Sequence, residues 1–193
     1  MSLPPDTSSS AANLRSPVSG SPAGDPPARG VPSIARGVPS VPSPHGFGGF
    51  SFPHAFGVAD ADSIIASRGD LDAVFPLASV TKAVAALSAL VAVERRLISL
   101  EDPAGPPGST VRHLLAHASG LPFEGGAAIS PPGRRRVYSN RGFEVLGECI
   151  EAVTGVGIQE WMEETVLIPL GMSAAAIPGS PADSGEGSVR DLL

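Results

Sequence analysis

The side chains most able to do chemistry begin with a serine and a lysine three residues apart, in Ser79-Val80-Thr81-Lys82. On a helix such a pair shares one face, with Cβ atoms about 5–6 Å apart. A serine hydroxyl is inert until a base within hydrogen-bond reach takes its proton. Lys82 can be that base only when neutral. Ser79 stands at the start of the same helix, where free N–H groups favour developing negative charge. Lys82 is the chain's single lysine, a placement that favours a special role over an ordinary surface lysine.

A second constellation, Tyr138-Ser139-Asn140, contains the single tyrosine. A phenol beside an ammonium is held partly ionised and becomes a second candidate base. The Asn140 amide offers a donor to a substrate carbonyl or to the partners of Lys82. Ser139 and Asn140 suit the N-cap of the following helix equally well. His113 and His117 stand at i and i+4, but the stretch His113-Leu-Leu-Ala-His117 lacks the glutamate of a zinc-protease motif, and no metal site is assigned. Arg134-Arg135-Arg136 could attract a substrate carboxylate; such a run is more often a solvated loop.

The elements that must position these groups follow from pattern. Apolar runs either side of the Asp60–Ser63 turn, closed by Gly69, predict a β-hairpin within residues 50–68. Residues 74–78 read as an extended link, since Pro76 disfavours helix at Phe75. Ser79 to Ser99 reads as a long helix, apolar on nearly every side and hence expected to be buried all round. Ser109 or Thr110 caps a short helix running through His117. A further helix carries Phe143, Leu146, Ile150 and Val153 on one stripe and stops at Thr154-Gly155. Residues 158–168 form another, halted by Pro169 and Gly171. Ser188 to Leu193 reads as an N-cap and first turn. Trp161 is expected to fill the core or its edge, and Cys149 to be a small buried hydrophobe.

Residues 1–45 differ in kind. Pro, Ser and Gly dominate, an imperfect ARGVPSI/ARGVPSV repeat runs from Ala28 to Val41, and disorder is expected. The folded unit is expected over 46–193. A net charge of −6 argues against nucleic-acid binding, and one cysteine excludes an internal disulfide framework. The Ala83–Val93 run is about half the length a membrane-spanning helix needs. Without a signal-type apolar segment, a cytoplasmic location is expected.

The motifs together resemble those of the serine β-lactamase-related superfamily, which includes class C β-lactamases, DD-peptidases and many esterases. The SxxK at Ser79–Lys82 is followed by Tyr138-Ser139-Asn140 in the place of SDN. Between them, Val111 to Pro122 is similar to the family's HLLTHTSGLP stretch, and Pro169-Leu170-Gly171-Met172 to its PLGM segment. The resemblance implies an α+β fold, an antiparallel sheet flanked by helices plus an all-helical region. It places the nucleophile on Ser79, its assisting lysine on Lys82, a general base on Tyr138 and a substrate contact on Asn140. It further implies a serine hydrolase that forms an acyl-enzyme on ester, β-lactam or D-Ala-type amide substrates, without a cofactor. Its partner is a small-molecule acyl substrate; oligomeric state is left open, as is the choice of Lys82 or Tyr138 as base.

One motif departs. The family's downstream KTG or HxG strand has no counterpart, since Lys82 is the only lysine and no histidine follows His117. That strand supplies one of two oxyanion-hole donors, worth about 10²–10³ in rate. The C-terminal strands of the sheet are accordingly expected to be missing. The alternative is therefore an inactive, truncated fragment or pseudoenzyme of the same family, acting, if at all, by binding.

Overall fold

The hairpin forms because Asp60 closes its turn: Asp60 Oδ1 accepts from the N–H groups of Asp62 and Ser63 at 2.9 and 2.8 Å. Strands β1 (Phe56–Ala59) and β2 (Ile64–Arg68) pair antiparallel, Phe56 opposite Arg68 and Val58 opposite Ala66, with a register shift after Val58. The computed structural model describes residues 51–193, so the Pro/Ser/Gly-rich leader expected over 1–45 lies outside the described residues. All of these described residues belong to one unit, Gly49–Leu193.

The stretch read as a plain link is a strand. β3 (Val74–Pro76) pairs antiparallel with β4 (Glu186–Ser188), Val74 opposite Ser188 and Pro76 opposite Glu186. Pro76 has no N–H to offer, a loss tolerated at the margin of a two-stranded ladder. The partner strand lies far along the chain, which is why the segment read locally as a connection.

A single 3₁₀ turn, Ala78–Val80, then leads into helix α1 (Thr81–Glu94). Its buried face is Thr81, Lys82, Val84, Ala85, Ser88, Ala89 and Ala92. The expectation of burial on all sides is corrected here: Val80, Leu87 and Leu90 are 46%, 42% and 45% exposed, and Ala83 is exposed with them. These residues recur at helical spacing on one exposed stripe.

Helix α2 (Val111–Leu115) is capped by Thr110 through a capping box in which the His113 ring takes the part usually played by a glutamate, Nδ1 accepting from the Thr110 N–H at 3.2 Å. It ends two residues sooner than read, because His117 adopts φ 56°, outside any right-handed helix. The two histidines therefore do not stand one turn apart on a helix face.

Helix α3 (Asn140–Thr154) ends where Gly155 turns left-handed at φ 71°. Phe143, Leu146 and Ile150 are buried, but Val153 is 49% exposed, because the helix outruns the core it packs on. Helix α4 (Ile158–Met162) passes through a π-helical turn, Glu163–Leu167, into α5 (Ile168–Leu170). Pro169 sits in the first turn of α5 instead of halting the helix, a position where its missing N–H costs little; Gly171, at φ 68°, ends it.

The core joins α1 to α4: Ala85, Ala89, Val111, Leu114, Phe143, Leu146, Ile150, Met162 and Val166 are all buried. Trp161 is buried too, its indole donating to the Ser88 carbonyl at 3.1 Å; Cys149 is only partly buried. After β4, helix α6 (Val189–Leu192) begins with a capping box between Ser188 and Asp191. Among the described residues no helix is long and apolar enough to cross a membrane.

Candidate functional site

Ser79 is exposed in the 3₁₀ turn, presented ahead of α1 instead of on its first full turn. The preceding residue, Ala78, has φ 45°, a conformation L-residues rarely adopt. It is held there by Thr81, whose hydroxyl donates to the Ala78 carbonyl at 2.6 Å and accepts from the Gly185 N–H at 2.9 Å. Leu77 N–H donates to the Gly185 carbonyl at 2.8 Å. Gly185 cannot be larger, since a Cβ there would stand 2.6 Å from Thr81 Oγ1. The turn carrying Ser79 is thus clamped from the far end of the chain.

Lys82 is 5% exposed, and its Nζ has three acceptors: Asn140 Oδ1 at 2.6 Å, the Ala182 carbonyl at 2.8 Å and Ser79 Oγ at 3.2 Å. An ammonium has three hydrogens and no lone pair, so this set matches the charged form. The ammonium also lies 4.8 Å from the Tyr138 ring centroid and 5.9 Å from that of Phe143.

The choice of N-cap, open from sequence, falls to Ser139: its Oγ accepts from the Gly142 N–H at 2.8 Å and donates to the Pro122 carbonyl at 2.5 Å. That leaves the Asn140 side chain for the site. Its carbonyl faces Lys82 and its amide donates to Asp183 Oδ2 at 3.0 Å. The Tyr138 phenol is held below its usual value of 10, chiefly by a hydrogen bond with Ser79, with Lys82 and Arg136 adding their charge.

The structure therefore brings Ser79, Lys82, Tyr138 and Asn140 together. Ala182, Asp183 and His117 complete the group, and none of them was singled out for it from sequence. A backbone carbonyl carries no side-chain signature, and Asp183 in Pro181-Ala182-Asp183-Ser184-Gly185 reads as an ordinary turn. Of the arginine run, Arg136 reaches the site, through its charge on Tyr138 and His117. Among the described residues no group of His, Cys, Asp and Glu could hold a metal ion.

This geometry accompanies a clear kinship. The Beta-lactamase family model matches residues 45–188, and the chain belongs to that family. It is 46% identical to a beta-lactamase from Mycobacterium bovis, with a TM-score of 0.65 over 67% of this chain and 48% of that one. It is 26% identical over 163 residues to penicillin-binding protein 4* of Bacillus subtilis (strain 168), covering 67% of this chain and 36% of that protein. A beta-lactamase/D-alanine carboxypeptidase from Yersinia pestis shares the fold at 19% identity, TM-score 0.58, over 67% of this chain and 57% of that one. The chain spans about half the length of such relatives or less. The expected α+β fold, with small antiparallel sheets beside a helical region, is the one found.

Proposed function

We propose that this chain carries the acylation half of a serine hydrolase site, acting on ester, β-lactam or D-Ala-type amide carbonyls. The observation that carries the reading is the convergence on Ser79 of Lys82, from the first turn of α1, and of Tyr138, from the segment just before α3. Because the Lys82 ammonium already donates to three acceptors, the proton of Ser79 passes to Tyr138, with Lys82 stabilising the phenolate. Ser79 Oγ then attacks the carbonyl carbon. The tetrahedral intermediate collapses as the leaving group takes the proton from Tyr138, and water later cleaves the acyl ester. Asn140 holds Lys82 and lines the substrate side. A protein that binds or is acylated without turnover is the second reading, and one experiment separates the two.

Exposure of the full chain to an activated ester and to a fluorescent penicillin, followed by peptide mass mapping, tests both. An adduct on Ser79, with labelling reduced about 10³-fold or more in Ser79→Ala, is expected. An adduct that forms and persists without product release supports the second reading. No adduct on folded protein, or an unchanged rate in Ser79→Ala, overturns the first.

A further inference from the structure

His117 is a buried titratable side chain, 7% exposed, that the acyl chemistry above does not use. It departs from α2 with its left-handed φ of 56°, and that departure turns it toward the loop leading into α3. Its carbonyl accepts from the Val137 N–H at 2.7 Å, and its ring Nδ1 accepts from the Ser139 N–H at 3.1 Å. These two bonds sit on either side of Tyr138 and fix the backbone before and after the phenol. The imidazole also lies against that phenol ring, centroids 4.5 Å apart at 36°, and backs onto Phe143 at 5.2 Å.

We propose that His117 is a positioning residue: its neutral ring, accepting at Nδ1, holds Tyr138 and the Ser139 cap in the arrangement that reaches Ser79. In acyl transfer it acts only if the serine-hydrolase reading above holds; its hold on the phenol stands apart from that reading.

An acceptor Nδ1 puts the neutral ring's proton on Nε2. Protonation would set a second donor against the Ser139 N–H and break the bond. The groups facing the ring are Lys82 of α1 and Arg136 and Tyr138 of the loop; Phe143 of α3 is uncharged. Burial, then Arg136, then Lys82, hold the imidazole below its usual 6.5. The sign follows: the unfolded chain binds this proton more readily than the folded one. The stability contributed by the neutral ring is complete above about 6.5 and is lost as pH falls through the lowered folded value.

Two variants separate the acceptor from the ring. Asparagine tolerates positive φ and presents an amide oxygen near the position of Nδ1, without a titrating ring. Phenylalanine keeps a ring and removes the acceptor. Tyr138 is the only tyrosine, so the ultraviolet absorbance of phenolate follows it alone against pH, with or without turnover. In His117→Phe its midpoint is expected to rise toward 10 as the phenol leaves Ser79. His117→Asn is expected to restore most of that shift. Acylation of Ser79 by the penicillin probe is expected to fall about tenfold or more in His117→Phe and to recover to within about threefold in His117→Asn. The part of the wild-type stability that is lost below about pH 6.5 through His117 should be absent from His117→Asn. Circular dichroism melts confirm that each variant is folded. Equal phenol midpoints in all three proteins overturn the proposal, whether or not Ser79 is ever labelled. If wild type takes no label but the midpoints separate, the hydrolase reading fails and the positioning role stands.

Discussion

The two faces of helix α1 obey different rules. One carries mostly small and polar side chains, Thr81, Lys82, Ala85, Ser88, Ala89 and Ala92, with Val84 among them, all buried against the helices that follow. The other carries Ala83, Leu87 and Leu90, with Val80 of the preceding 3₁₀ turn in line, exposed although mostly larger and more apolar. Hydrophobicity alone would have reversed the two. Close approach of α3 and α4 explains the first face: alanines let the helices draw near, and each buried polar group there is paired. The buried face is defined by what packs on it, and by the site it must hold.

That contrast can be broken most forcefully on the buried side. Leu146→Ala, at a side chain 1% exposed in the middle of the core, should destabilise by about 2–5 kcal/mol in chemical denaturation. Asn140→Ala should cost about 1–3 kcal/mol, because it removes one of three acceptors from a buried ammonium. Its fluorescent-penicillin labelling should fall as well, a joint loss that a purely structural residue would not show. On the opposite face, Leu87→Ser should change stability by no more than about 0.5 kcal/mol. A loss of several kcal/mol there would mean that the stripe is covered, and the two faces would then differ in degree only.

Much of this was legible in the residues themselves. Ser79 and Lys82 advertise their pairing by spacing, and the only tyrosine and lysine of the chain do meet. The Asp60 turn and the Gly155 stop carry local chemistry that any sequence window contains. What was hidden depends on distant chain or on backbone. The partner of β3 lies beyond residue 185, so Val74–Pro76 looked like a connection. The departure of His117 from α2 is a backbone conformation that a helical pattern does not encode. Periodicity marked α1 as apolar all round but could not say which side another element would cover. Pro169 reads as a stop because a proline inside a helical pattern usually is one; the π turn before it and its early place in α5 remove the conflict.

Lys82 and Ala182 meet across 100 positions of chain, and Thr81 and Gly185 across 104. Closing a loop of that size carries an entropy cost that local helices do not, and contacts of such separation form slowly. The ammonium is fully solvated by protein only once the segment from Ala182 to Gly185 has come home. The full set of Lys82 partners is therefore tied to a segment translated about a hundred residues after it, and a nascent chain that has not reached that segment would display Ser79 and Lys82 without the contacts that hold them.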